Sequence, residues 1–173
     1  TLSLNEASYI VNDSESRYLM VGNKDILERI LPGMDGMPTL QKIIMLDTRY
    51  ESNDPRVINL TQLMKLGQEN RSRQYDLYQE RSQNISLEDW ATILYTSGTT
   101  GQGKGVIITH WCFASRVDGV FYYFLNSGHP LNEEDTVLSF LPLSHIFDRA
   151  CSQWLAIWMS ATIAYADSPA TMM

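Results

Sequence analysis

YTSGTTGQGK, residues Tyr95 to Lys104, is preceded by Ala91-Thr92-Ile93-Leu94 and followed by Val106-Ile107-Ile108-Thr109. The first flank reads as a short buried strand, and the second is a β-branched run that favours extended backbone. What lies between them is a loop joining two strands, dense in glycine and short hydroxyls and closed by a lysine. Glycines at 98, 101, 103 and 105 let the backbone take positive φ and approach a ligand with no Cβ in the way. Thr96, Ser97, Thr99 and Thr100 add hydroxyls that lose little rotamer entropy when fixed, and Lys104 adds a mobile positive charge. Converging N–H groups, hydroxyls and one cation suit a phosphate polyanion. A solvated surface turn has the same composition, but the strands on both sides favour the phosphate cradle.

Two kinds of phosphate loop compete for this stretch. Gly98-x-x-x-x-Gly103-Lys104 satisfies most of the Walker pattern, yet position 105 is Gly where that mechanism needs a hydroxyl. A Walker loop also opens straight into a helix, so a P-loop-type NTPase requires a helix starting at Gly105. The strand-forming run from Val106 makes it the second choice. A non-catalytic nucleotide-binding or scaffold module that keeps a degenerate loop is a third reading.

YTSGTTGQGKGVIITH resembles the phosphate-loop signature of the adenylate-forming (AMP-binding) enzymes. Downstream, Leu141-Pro142-Leu143-Ser144-His145-Ile146-Phe147-Asp148-Arg149 is similar to the second signature of their long-chain fatty acyl-CoA ligase subfamily, and TIAYADSP from Thr162 resembles the strand that follows. One departure stands out: the family usually has Pro before the loop lysine, and this chain has Gly103.

The resemblance implies an enzyme that joins a fatty acid to ATP as acyl-AMP, releases pyrophosphate, and passes the acyl group to coenzyme A. Thr96, Ser97, Gly98, Thr99, Thr100 and Gly101 would then wrap the β- and γ-phosphates, with Lys104 adding charge and Thr96 touching Mg2+. His145 would lie near the acyl carboxylate, although a structural histidine fits the residues equally well. Asp148-Arg149 is read as the start of a helix, with Asp at the positive end of the dipole. The acidic magnesium partner and the C-terminal lid domain would lie outside this chain. An internal fragment of the large N-terminal domain is therefore expected, inactive by itself.

The chain has 173 residues, of which 44% are apolar, with a net charge of −7. It can bury one ordinary core, and its acidity argues against a nucleic-acid partner. Cys112 and Cys151 sit in apolar stretches without metal-ligand spacing, which predicts buried free thiols in a cytoplasmic protein. No secretory leader is read ahead of the first helix. Trp154 to Ala166 is shorter than the about 20 residues that span a bilayer, which leaves peripheral membrane contact open.

The fold class expected is α/β, a layered, mainly parallel sheet flanked by helices, with a strand-loop-strand hairpin and the content of a partial domain. Residues 1–66 form a first β-α-β part, opened by the capping box at Ser3 and Glu6; its last helix carries Leu63, Met64 and Leu66 on an apolar side. Residues 67–85 form a polar connector, either a solvated helix or a loose linker. Residues 86–173 form the phosphate-loop part. There, Thr109 caps a helix with Phe113, Val117, Val120, Phe121 and Phe124 in one stripe, and Phe147, Cys151, Trp154, Leu155 and Trp158 trace another helical face expected in the core.

Overall fold

A computed structural model describes residues 3–96 and 102–167, and the chain divides into two compact units, Thr1–Ile85 and Ser86–Met173. In the first unit, Ser3 accepts from the Glu6 N–H while the Glu6 carboxylate accepts from the Ser3 N–H, closing the expected capping box on α1 (Leu4–Asp13). The strands β1 (Tyr18–Val21), β2 (Lys42–Met45) and β3 (Val57–Asn59) form a parallel sheet in the order β1-β2-β3, with α2 (Lys24–Ile30) crossing between the first two. β2 is central, so Ile43, Ile44 and Met45 are all buried. A continuous apolar run marks a strand covered on both faces.

Pro32 ends α2 as an α-helix, but the chain continues as a 3₁₀ turn over Leu31–Gly36 that carries Met34 into the same core as Leu27 and Ile30. Gly33 packs against α1: a Cβ there would lie 2.5 Å from a methyl of Leu4, whose side chain would have to turn aside.

Residues 67–83 are helical, belonging to α3 (Leu60–Gln83), which Asn59 and Gln62 cap at its start. The expected apolar side is not formed, because none of the residues of α3 is buried and Met64 and Leu66 are exposed. Leu63, Met64 and Leu66 span one turn in a helix that is otherwise polar. They make too short a stripe to hold it down.

In the second unit, β4 (Trp90–Thr96) and β5 (Lys104–Thr109) pair antiparallel. A helix beginning at Gly105 is thereby excluded, and with it the P-loop-type NTPase. Thr109 then caps α4 (His110–Asn126), its hydroxyl accepting from the Cys112 N–H. The stripe on α4 forms as expected, with Phe113 and Val117 buried and Phe113 stacked on Trp154 at 4.4 Å. Gly128, at φ +81°, ends the helix as only glycine does without strain.

β6 (Thr136–Ser139) and β7 (Thr162–Tyr165) pair in parallel, and the crossover between them is a helix of mixed winding. Residues Asp148–Trp154 are π-helical and α5 (Leu155–Met159) is α-helical. The wider π turn rotates successive side chains by less than the α spacing assumes. Two members of the expected core face are therefore exposed, Phe147 at 48% and Trp158 at 53%, while Asp148, Ala150, Ser152, Leu155, Ala156 and Met159 are buried. Neither cysteine is buried as expected. Both are free, with Cys112 exposed and Cys151 half-buried.

Candidate functional site

The last registered pair of the β4–β5 hairpin is Thr96 opposite Lys104, and both side chains are exposed at its rim. Ser97, Gly98, Thr99, Thr100 and Gly101 lie outside the described residues. The glycines beside them serve a purpose other than positive φ. A Cβ on Gly105 would lie 3.0 Å from Ile93 and 3.1 Å from the Tyr95 ring, and one on Gly103 would lie 3.2 Å from the Thr96 carbonyl oxygen. Among the described glycines, positive φ is confined to Gly128. Gly103 and Gly105 thus let the returning strand lie close beneath Tyr95 and Thr96.

β4 carries a register shift between Trp90 and Thr92. Such a bulge re-aims the side chains beside it. Alternation along the strand puts Thr92 and Thr96 on the same face. The Thr92 hydroxyl accepts a hydrogen bond from the Arg149 guanidinium, whose Nε donates to the Leu143 carbonyl at 2.9 Å.

His145 sits in the turn between β6 and the π-helix. Its N–H donates to the Pro142 carbonyl at 2.8 Å, and its ring Nδ1 accepts from the Phe147 N–H at 3.2 Å. With Nδ1 so engaged, Nε2 carries the ring proton and is the edge left to meet a ligand. The Arg149 N–H donates to the His145 carbonyl at 3.3 Å, so Arg149 touches this turn at two points.

Asp148 is the most enclosed polar residue here, with 0% of its surface exposed. It does not act as a simple helix-dipole residue. Its carboxylate accepts from the Ser139 hydroxyl at 2.6 Å, the Ser152 hydroxyl at 3.1 Å, and the N–H groups of Phe140 and Leu141 at 3.3 and 3.4 Å. Burial pushes its pKa up, but those four donors, Ser139 foremost, outweigh it and hold the carboxyl below its ordinary value. Sequence reading missed this pair of roles. The available signal was a serine at the end of the preceding strand and another four residues after the aspartate.

Two adjoining apolar clefts open beside the turn, of about 570 and 470 Å³, a size range typical of small-molecule sites. Val120, Phe124, Leu131 and Val137 line the first, Val106, Ile108, Phe113 and Ile146 the second, and Phe147 belongs to both. Ile146 and Phe147 directly follow His145, so the polar turn stands at the edge of apolar space. His110 and His129 are placed apart from this role: His110 donates its N–H to Asp89 at the start of α4, and His129 lies in the turn after it.

Among the described residues no three His, Cys, Asp or Glu side chains gather to hold a metal ion, and Thr96 offers a single hydroxyl. No described helix is long and apolar enough to cross a membrane.

A hydroxyl-rich hairpin loop followed by a helix and a β-α-β crossover is the arrangement of an adenylate-forming enzyme. The chain belongs to the AMP-binding enzyme family, whose model matches residues 1–173. Fatty acyl-CoA synthetase A of Dictyostelium discoideum is 35% identical over 158 residues, covering 87% of this chain and 21% of that protein. The same fold is found in the anthranilate CoA ligase AuaEII in complex with anthranoyl-AMP, at a TM-score of 0.67 and 19% identity over 94% of this chain and 28% of that one. It is also found in the long-chain-fatty-acid-CoA ligase FadD1 of Archaeoglobus fulgidus, at a TM-score of 0.66 and 21% identity over 98% of this chain and 29% of that one. The chain thus spans under a third of the length of each of these three proteins.

Proposed function

We propose that this chain is the phosphate-loop portion of a larger cytoplasmic fatty acyl-CoA ligase that forms acyl-AMP from a fatty acid and ATP and transfers the acyl group to coenzyme A. The observation that carries the reading is the β4–β5 hairpin, which sets Thr96 against Lys104 at the two ends of a hydroxyl-rich loop in a chain of the AMP-binding family. The synthetase name borne by the Dictyostelium relative supports the choice of acid.

In the proposed reaction a carboxylate oxygen attacks the α-phosphorus of ATP, the bond to the bridging oxygen breaks, and pyrophosphate leaves with the electron pair. The coenzyme A thiol then attacks the acyl carbon and displaces AMP. The protein's task in the first step is positioning and charge neutralisation. Thr96, Ser97, Gly98, Thr99, Thr100 and Gly101 would hold the β- and γ-phosphates through hydroxyls and N–H groups, and Lys104 would add its charge as the pyrophosphate develops. The ring of His145 would orient the acid, whose chain would run into the apolar clefts beside Phe147. Magnesium would bring further charge to the phosphates, but the described side chains do not make its site.

Acid-dependent exchange of labelled pyrophosphate into ATP by the complete ligase tests the proposal. Exchange that requires a fatty acid and falls on Lys104→Ala supports it. ATP binding without exchange in the complete protein would favour a non-catalytic nucleotide-binding module instead.

A further inference from the structure

Asp148 and Arg149 are adjacent, yet their side chains serve opposite ends of the same turn. Asp148 reaches back to the C-terminal end of β6, where Ser139, Phe140 and Leu141 all donate to it, and forward to Ser152 in the π-helix. One carboxylate therefore closes the base of the 141–147 turn. Its charge is fully buried, and its partners among the described residues are the four hydrogen-bond donors, an arrangement that persists only where hydrogen bonds replace hydration. Ser152, four residues on and on the same side of the helix, bonds the same oxygen as the Phe140 and Leu141 N–H groups.

Arg149 points the other way. Its Nε holds the Leu143 carbonyl inside the turn, its backbone N–H holds the His145 carbonyl, and its guanidinium reaches the Thr92 hydroxyl on β4. Thr92 stands beside the register shift of β4 and on the same face as Thr96, at the strand's far end. A guanidinium suits such a bridge, because its planar fork fixes two acceptors at once where an ammonium acts as a point charge.

We infer that Asp148 and Arg149 are positioning residues that hold the His145 turn in fixed register with the β4–β5 hairpin, and so align the acid with the triphosphate. This rests on the ligase reading, since a register between turn and hairpin matters where two substrates must meet. A near-attack geometry is sensitive to displacements on the order of 1 Å. Loss of the bridge should therefore affect use of the acid more than affinity for ATP, whose phosphates the hairpin would hold.

The test uses the complete ligase containing this chain, with palmitate as the acid and pyrophosphate exchange as the readout. Arg149→Gln and Thr92→Val should each raise the KM for palmitate about five- to tenfold while leaving the KM for ATP within about twofold. The double variant should be no worse than Arg149→Gln alone, because both remove one link. Arg149→Lys should recover less than half of the loss, since it keeps the charge but not the fork. Asp148→Asn should show the same split, with thermal melting recorded alongside. Thr92→Val, at a half-buried site, keeps the test decisive if Asp148→Asn does not fold. Equal rises in both KM values, additive effects in the double variant, or unchanged kinetics in Thr92→Val and Arg149→Gln would each overturn the inference and leave the ligase reading standing. A wild-type ligase without acid-dependent exchange would overturn both.

Discussion

Thr96 and Lys104 face each other as the final registered pair of an antiparallel hairpin, so the hydroxyl and the ammonium are held at the two roots of one loop. Neither residue can shift along its strand without breaking the pairing of Leu94 with Val106 behind it. The rim is thus fixed by the sheet. In the complete ligase, Thr96→Ala and Lys104→Ala should each lower acid-dependent pyrophosphate exchange by about 100-fold, the usual loss of about 3 kcal/mol for one well-placed transition-state donor.

The glycines of the hairpin give a second expectation. Gly105→Ala puts a methyl 3.0 Å from Ile93 and 3.1 Å from the Tyr95 ring, so both side chains must give by a few tenths of an ångström. The cost should be about 1–3 kcal/mol, as for other overpacking changes, read as a lower melting temperature. Gly22→Ala, with nothing within 4 Å of the added carbon, should leave melting almost unchanged.

Asp148 makes stability depend on acid. Its carboxyl lies below the ordinary value when folded, because four hydrogen-bond donors outweigh burial. The stabilisation is therefore complete above the unfolded aspartate pKa of about 4 and fades as pH falls through the lower folded value. Asp148→Asn should lose stability at neutral pH and show a flatter decline between about pH 5 and pH 2. Thermal melting across that range, compared with wild type, gives the measurement.

Much of this was readable from residue order. The strands around YTSGTTGQGK, the Thr109 cap and the α4 stripe follow from local patterns of period two and three-to-four, and each formed, although of the strands expected to be buried only Leu94 is, with Val106 and Ile107 exposed. Where reading failed, a non-local or rare geometry was responsible. The exposure of Phe147 and Trp158 follows from π winding, which α spacing does not anticipate. Leu63, Met64 and Leu66 were expected to be covered, but coverage depends on a partner and not on the helix itself. The bridge from Arg149 to Thr92 joins residues far apart in the chain and leaves no periodic trace. Of the candidate site, Thr96, Lys104 and His145 were nameable from motif, whereas the residues that hold His145 in place emerged with the fold.

Cys112 offers a chemical readout of the α4 start. The Thr109 hydroxyl hydrogen-bonds its thiol, and this lowers the thiol pKa below its ordinary value. With Cys112 exposed and Cys151 half-buried, alkylation by iodoacetamide near pH 8 should label Cys112 first. Thr109→Val should narrow the difference. Peptide mass mapping over time distinguishes the two thiols.

The π-helical stretch also makes chain length a constraint in its own right. Removing one residue between Asp148 and Ser152 would let ordinary winding take over, because a π turn holds one residue more than an α turn. The segments on either side would keep nearly the same phase, but Ser152 would stand three residues after Asp148 instead of four, out of its place on that carboxylate oxygen. A homologous gene lacking a single codon there would be expected to have changed the serine as well.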